Sequence, residues 1–374
     1  MKIALVHDYL NEAGGAERVL RVLAEMYPTA PIYTAFIKKK GSAVFTLPER
    51  KLIESKWGWL LKIGRMYSYL RFLLPWVWKS IDLTAYDLII TSCSGYIARG
   101  FRVCEDARVV AYCHTPPRWL YGYDTPTSAQ KKWWGQIFMW IVGPFIRYFD
   151  FTSAQRVDTW IANSQEVAKR IEKFYRKSAV VVYPPIKVNT KSEIRNQKKG
   201  DYYLIVSRIV GGKGIEEAIA GAKKAGVKLK IVGEQITPLN QLTIKPLNNV
   251  EYLGRASDSE LAKLYAGAKG FIALAKDEDF GMTVVEAMGC GTPVLAYNGG
   301  GYRETVLDKP EIRNPKSEKI PQTGILIDGT DAKSVAEGIK KMEKTRWDRE
   351  AIVKWAERFG RSQFERGIRS VVNA

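Results

Sequence analysis

The chain is poor in the residues that build metal and redox sites. It has 4 Cys and 2 His among 374 residues. Cys93, Cys104, Cys113 and Cys290 form no C-x-x-C pair and have no zinc-ligand spacing with a histidine. With only His7 and His114 present, a His-rich metal site is excluded. The cysteines read as small buried apolar residues in a reducing compartment. The opening MKIALVHDYL lacks the apolar stretch of a secretory leader, and no run nears the roughly 20 apolar residues that span a bilayer. The expected location is therefore the cytosolic side. The P-loop string G-x-x-x-x-G-K-[ST] is missing, and so is the full G-x-G-x-x-G fingerprint. A P-loop NTPase and an NAD-binding protein are both disfavoured.

Acidic residues are also short, 39 Asp plus Glu against 58 Lys plus Arg, for a net charge of +19. That excess suits a polyanionic partner: nucleic acid, an anionic membrane or a phosphorylated substrate. At 46% hydrophobic the composition is that of a globular protein, and the length suggests two or three domains. The halves differ. Residues 1–187 carry 27 basic and 15 acidic side chains, a net of +12, and the remainder 31 and 24, a net of +7. Of the 11 Trp, only Trp347 and Trp355 fall outside the first half. Tyr183-Pro184-Pro185-Ile186 and the polar, basic stretch to Gly200 read as the linker.

Each half opens with the same grammar. Ile3-Ala4-Leu5-Val6 leads to Gly14-Gly15 and a helical pattern from Ala16 to Leu23. Tyr203-Leu204-Ile205-Val206 leads to Gly211-Gly212 and a helical pattern from Gly214 to Ile219. Further short apolar runs begin at Leu88, Val109, Thr159, Val180, Leu229, Gly270 and Pro293, with helical patterns between them. Strands alternating with helices imply α/β architecture with parallel sheets covered on both faces. We read two Rossmann-like domains in series, 1–187 and 188–359, with ligands beyond the carboxyl ends of the strands. A closing helix, about 360–374, is expected to return to the first domain.

The chemistry candidates follow strands. Gly14-Gly15 at a helix start offers free N–H groups and the positive end of the dipole to a phosphate, or is only a tight turn. Arg208 and Lys213 flank the second glycine loop, where two fixed cations suit a diphosphate. The most informative stretch is Asp277-Glu278-Asp279-Phe280-Gly281-Met282-Thr283, continuing through Glu286 to Val294. Acidic residues end a strand, Gly281 permits a close backbone approach, and a helix follows. A carboxylate at Glu286 can accept both hydroxyls of a ribose. Asp277-Glu278-Asp279 also has the form of a D-x-D metal clamp, a reading the strand–glycine–helix context disfavours.

Taken together these segments resemble the retaining GT-B glycosyltransferases of family 4. Glu278 and Glu286 form that family's E-x7-E motif, within EDFGMTVVEAMGCGTPVLA. HDYLNEAGGAERVL, YCHTPPRWLY, IANSQEVAKRI, VVYPPI, VSRIVGGKGIEEAI and GGGYRETV resemble its other markers, in order, over residues 1 to about 330. The similarity is nearest to bacterial mannosyltransferases that build O-antigen, capsule or exopolysaccharide.

The resemblance implies a GT-B fold, two Rossmann-like domains facing each other across a cleft, and transfer of a hexose with retention. It implies that Arg208 and Lys213 hold the donor diphosphate and stabilise the leaving group, without a metal ion or other cofactor. Glu286 would bind the ribose. Glu278 and the backbone of Phe280, Gly281, Met282 and Thr283 would hold the sugar and phosphates. Gly14 and Gly15 would approach the diphosphate, His114 would lie over the donor sugar, and Arg255 would lie in the base-recognition loop. Asp8 and Asn163-Ser164 are weaker candidates. A same-face mechanism is implied, in which the departing phosphate takes the acceptor proton. One departure stands out: Ile209-Val210-Gly211-Gly212 replaces the family's usual Pro, Tyr or Glu between the two cations, so a looser loop is expected.

The donor expected by resemblance is GDP-mannose, with a UDP-sugar as alternative; a nucleotide-sugar epimerase on the same fold is a further reading. Segments 57–79 and 131–142 combine Trp with Lys and Arg and read as interfacial elements, aromatics at headgroup level and cations on anionic lipid; packing in the first domain's core is the other reading. The expected enzyme is peripheral on the inner face of the plasma membrane, with a polyprenyl-diphosphate-linked saccharide as acceptor. Nucleic acid is not expected as a partner, because no binding motif is present.

Overall fold

A computed structural model describes residues 1–11, 14–38, 47, 52–65, 69–123, 133–187, 197–210, 212–234, 249–310 and 322–374. Of the features singled out above, residues 66–68, Lys131 and Lys132 of the aromatic segments, 188–196 of the linker and Gly211 lie outside the described residues.

The chain divides into two compact units, Met1–Pro185 with Arg361–Ala374, and Ile186–Gly360. The division falls at Ile186 because its N–H donates to the Phe359 carbonyl at 2.9 Å, and it bridges to Gly360, so it is tied to the second unit.

The first unit is built on β1 (Ile3–His7), β2 (Ile32–Thr34), β3 (Leu52–Glu54), β4 (Leu88–Cys93), β5 (Arg108–Cys113), β6 (Thr159–Ala162) and β7 (Ala179–Val181). All pair in parallel in the order β3-β2-β1-β4-β5-β6-β7. Helices α1 (Gly15–Met26), α2 (Leu74–Lys79), α3 (Trp133–Gln155) and α4 (Gln165–Tyr175) accompany it. Successive residues of β1 and β4 serve opposite cores: Ala4, Val6 and Ile89 on one face, Leu5, Leu88 and Ile90 on the other. Burial on both faces is why these strands are continuously apolar. The strands β2 and β3 escaped the sequence reading because neither Ile32-Tyr33-Thr34 nor Leu52-Ile53-Glu54 makes an unbroken apolar run.

The second unit has β8 (Tyr203–Val206), β9 (Leu229–Val232), β10 (Val250–Gly254), β11 (Gly270–Ala273), β12 (Val294–Tyr297) and β13 (Gly324–Ile327), all parallel, in the order β10-β9-β8-β11-β12-β13. Its helices are α5 (Ile215–Ala225), α6 (Asp258–Gly267), α7 (Met282–Gly289), α8 (Tyr302–Thr305), α9 (Ala332–Lys344) and α10 (Arg349–Ala356). Ile209 and Val210, where a looser loop was expected, are buried, and the Ile209 N–H donates to the Glu234 carbonyl at 2.9 Å. The first half of that loop is therefore anchored by its own apolar side chains.

The last helix, α11 (Arg361–Asn373), returns to the first unit. Phe364, Ile368, Val371 and Val372 enter the core that holds β1 and α1. The Phe364 ring meets Tyr112 edge-on at 5.6 Å, and Arg108 donates to the Val371 and Val372 carbonyls at 2.9 Å each.

The expectation for the cysteines needs one correction. Cys93, Cys113 and Cys290 are buried, but Cys104 is exposed, its thiol donating to the Thr84 carbonyl at 3.1 Å. It lies in the loop before β5 and belongs to neither apolar core of the first unit.

Phe364→Ala should destabilise the first unit by about 3–5 kcal/mol, the usual cost of emptying a buried aromatic site. Chemical denaturation followed by protein fluorescence reads this directly, since most tryptophans belong to that unit; an unchanged midpoint would show that α11 contributes no core.

Candidate active site

In the second unit the site is built from three loops at the carboxyl ends of strands, where doubly wound sheets bind ligands. After β8, Arg208 is exposed, and Lys213 precedes α5. After β11, the acidic loop brings Glu278 to Lys213, with Nζ 2.8 Å from Oε2. The two residues are 65 apart in sequence, so the pair is a product of the fold. After β12, the glycine-rich loop leans on the acidic one: the Gly301 N–H donates to the Glu278 carbonyl at 2.9 Å.

Gly281 caps the N-terminus of α7 with φ +89°, a left-handed conformation, and a Cβ there would lie 2.7 Å from the Tyr302 ring. Only glycine fits both demands. The start of α7, at Met282 and Thr283, therefore presents first-turn N–H groups beside the Lys213–Glu278 pair. Phe280 is a core residue against Phe359, with ring centroids 5.5 Å apart, so only its backbone is available to a ligand. Glu286, one and a half turns into α7, accepts from the Tyr265 hydroxyl at 3.0 Å, which fixes its rotamer. Arg255 follows Gly254, is exposed, and is paired with Glu234. Among the described residues no three His, Cys, Asp or Glu side chains gather as a metal-ligand set.

In the first unit the chemistry lies at the carboxyl edge of β1, β4 and β5. His7 is the register partner of Ser92, and Ser92 of Tyr112. His114 follows β5, its N–H donating to the Cys93 carbonyl at 2.9 Å. Asn163 donates its amide to the His114 carbonyl at 2.9 Å, and the Tyr112 ring meets the imidazole edge-on at 5.2 Å. The Ser92 hydroxyl lies 3.0 Å from His7 Nδ1 and 2.8 Å from His114 Nε2, and Glu17 Oε1 is 3.7 Å from His7 Nε2. The other Glu17 oxygen, Oε2, accepts the Gly14 N–H at 2.9 Å. A Cβ at Gly14 would meet Glu17 Oε2 at 2.9 Å, so a side chain there would push the Glu17 carboxylate aside. Gly15 is exposed as the first residue of α1.

Two weaker candidates turn out to be supports. Asp8 is buried and clamps the loop after β4, accepting the backbone N–H groups of Ser94, Tyr96 and Ala98 and the Ser94 hydroxyl at 2.7–3.0 Å. Ser164 caps α4, accepting the Val167 N–H at 3.0 Å. The sequence reading missed His7, Ser92 and Glu17. The available signal was that the chain's two histidines both follow or end apolar strands.

The aromatic segments divide. In 57–79, Trp57, Trp59, Ile63 and Trp76 are exposed, but Trp78 is fully buried and donates to the Tyr96 carbonyl at 2.7 Å. Two of the cations assigned to lipid are otherwise engaged: Arg71 lies 5.0 Å from the Tyr96 and Trp119 ring centroids, and Lys62 pairs with Glu54 at 2.6 Å. The second segment is part of the 23-residue α3. Trp133, Ile137, Trp140, Ile141, Phe145 and Tyr148 form one exposed stripe along it, while Ile146, Asp150 and Ala154 are buried on the other side. Trp76 of α2 meets Phe145 of α3 at 5.7 Å, so the exposed aromatics of these two helices adjoin. Among the described residues no helix is long and apolar enough to cross a membrane.

Two doubly wound parallel domains, each with its glycine loops and chemistry at the carboxyl strand ends, define the GT-B class. Residues 13–190 match the model of Glycosyltransferase Family 4, and residues 186–359 that of Glycosyl transferases group 1. The chain is thus built of a Family 4 glycosyltransferase domain followed by a group 1 glycosyltransferase domain. The Anabaena Alr3699/HepE structure in complex with UDP superimposes over 100% of both chains at TM-score 0.65 and 20% identity. The lipopolysaccharide outer core galactosyltransferase WaaB, apo form, covers 99% of this chain and 100% of its own at TM-score 0.63 and 18% identity. Among curated relatives, an uncharacterized glycosyltransferase of Methanocaldococcus jannaschii is 26% identical over 53% of this chain and 58% of its own length. The O-antigen chain mannosyltransferase B of Escherichia coli is 30% identical over 26% and 27%. The chain thus spans little more than half the length of the first of these and about a quarter of the second.

Burial pushes the His114 imidazole down to about 3, and neighbouring His7 adds to the fall. An unfolded histidine binds a proton below about 6.5, so in this window the unfolded chain holds the extra proton and stability rises with pH. Acidification from pH 6.5 towards 3 should remove stability, and His114→Gln should flatten that part of the stability–pH profile. An identical profile in the variant would mean His114 is solvated.

Proposed function

We propose that the protein is a retaining hexosyltransferase that uses a nucleotide-sugar donor, with GDP-mannose as the preferred reading. The observation that carries it is Lys213 held 2.8 Å from Glu278 beside the glycine-capped start of α7. A cation, a carboxylate and free helix N–H groups are what a sugar diphosphate requires: charge for the phosphates, an acceptor for sugar hydroxyls. Lys213 and Arg208 stabilise the negative charge that develops on the departing nucleoside diphosphate, the role a metal ion fills in other transferases. Glu286, oriented by Tyr265, takes the ribose hydroxyls, and Arg255 serves the base. The bond from the anomeric carbon to the phosphate breaks as the bond to the acceptor oxygen forms on the same face. The acceptor proton passes to the departing phosphate. The reading of mannose is supported by the Escherichia coli relative and by a Corynebacterium glutamicum relative described as a GDP-mannose-dependent mannosyltransferase, 29% identical over 35% of both chains.

A thermal-shift screen tests the donor. GDP or GDP-mannose at 100 times its dissociation constant should add about 2.7 kcal/mol of stability, with UDP-sugars weaker. If no nucleotide stabilises the fold, the donor site is wrong. Lys213→Ala should cut kcat by about 10²–10³, the cost of losing one preorganised charge on a developing anion, with the fold intact.

The acceptor reading is a lipid-linked saccharide reached from an anionic membrane surface. It is supported by the adjoining exposed aromatics of α2 and α3, which have the composition of an interfacial element. With Arg71 and Lys62 engaged elsewhere, apolar insertion outweighs headgroup charge in this attachment. Flotation with anionic vesicles should capture the protein, and Trp133→Ser with Trp140→Ser should release most of it. Undiminished flotation of that variant would remove α3 from the membrane.

A further inference from the structure

Ser92 sits between the only two imidazoles of the chain, and its single proton restricts what they can do. A hydroxyl that bridges two ring nitrogens can donate to only one of them, and so accepts from at least one. If Ser92 donated to His114, His7 would have to donate through Nδ1. A neutral His7 would then turn the lone pair of Nε2 towards the Glu17 carboxylate, 3.7 Å away. Lone pair would face anion in a nearly dry site, His7 being 2% exposed. The opposite arrangement has no such conflict. His7 keeps its proton on Nε2, facing Glu17, and accepts from Ser92 at Nδ1; His114 donates from Nε2 to Ser92. The distance of 3.7 Å is too long for a hydrogen bond, but the carboxylate's field still decides which nitrogen holds the proton. Glu17 is in turn fixed by the Gly14 N–H.

We infer that Glu17, His7 and Ser92 are positioning residues that lock His114 in one tautomer, Nε2–H with a lone pair at Nδ1. The free nitrogen of His114 is then a pure acceptor. It takes a hydrogen bond from a sugar hydroxyl and refuses an ionised phosphate oxygen, which brings only lone pairs of its own. This last step rests on the glycosyltransferase reading; the relay itself does not.

The chain is well suited to a direct test, because a long-range ¹⁵N spectrum of the labelled, ligand-free protein contains only two imidazoles. His114→Gln identifies which ring is which. Both rings should show a pyrrole-type Nε2 and a pyridine-type Nδ1. The decisive variant is Glu17→Gln. Its amide can keep the Gly14 N–H through oxygen while offering N–H to His7, so His7 must move its proton to Nδ1, Ser92 must turn, and His114 must follow. Both rings should invert. In Glu17→Gln combined with Ser92→Ala, His7 should invert and His114 should no longer respond. A wild-type His114 protonated at Nδ1, or a His114 indifferent to Glu17→Gln, overturns the relay. Added GDP-mannose or UDP-glucose should move the Nδ1 signal of His114, and sulfate, which carries no hydroxyl at neutral pH, should not. With the tautomer pattern intact, silence towards every sugar nucleotide overturns the donor reading and leaves the relay standing. A response to sulfate alone overturns the hydroxyl assignment.

Discussion

The parallel register of β1 against β4 and of β4 against β5 is the constraint on which the first unit depends. It sets His7 opposite Ser92 and Ser92 opposite Tyr112, so that His114, two residues further on, shares their edge. A slip of one residue would send every one of these side chains to the other face. The register is held because both faces are buried: alternate residues serve separate apolar cores, and neither can be given up. Polar groups at the carboxyl ends of these strands then fall in a row, and the chain of contacts from Glu17 through His7 and Ser92 to His114 follows.

The second unit solves a different problem with the same sheet. Its chemistry is carried by loops, and each loop is braced by another. Lys213 meets Glu278, Glu278 is held through its carbonyl by Gly301, and Gly281 lies under Tyr302. Two charged groups held against each other by braced loops need little reorganisation to act on a ligand, which is the physical content of electrostatic preorganisation. The first unit contributes a contrasting surface, an apolar stripe along α3 opposite a face that buries Asp150 against Arg99. A helix apolar on its outer face and polar at points of its inner one inverts the usual pattern of a globular protein.

How much was legible can be said residue by residue. The acidic loop with Glu278, Gly281 and Glu286 was legible because strand, glycine and helix are contiguous in the sequence. Arg208 and Lys213 were legible for the same reason. The Lys213–Glu278 contact was not, with 65 residues between its partners, nor was the His7–Ser92 contact at 85. Trp76 and Trp78 look alike in sequence, yet one is half exposed and the other fully buried. Arg71 looked like a lipid-facing charge and stacks between Tyr96 and Trp119 instead. Asp8 looked like a ligand and clamps a loop.

The sequence by itself determined the class of the protein. Short apolar runs alternating with helical patterns leave little choice but parallel sheets with helices on both faces, and glycine after a strand marks where backbone must approach a ligand. Those are local and periodic properties, and they survive in one dimension. The tertiary structure alone decided which polar side chains act on one another, and which aromatics face outward. Hydrogen bonds and burial depend on distances of a few ångströms between residues far apart in the chain, and no spacing in the sequence encodes them.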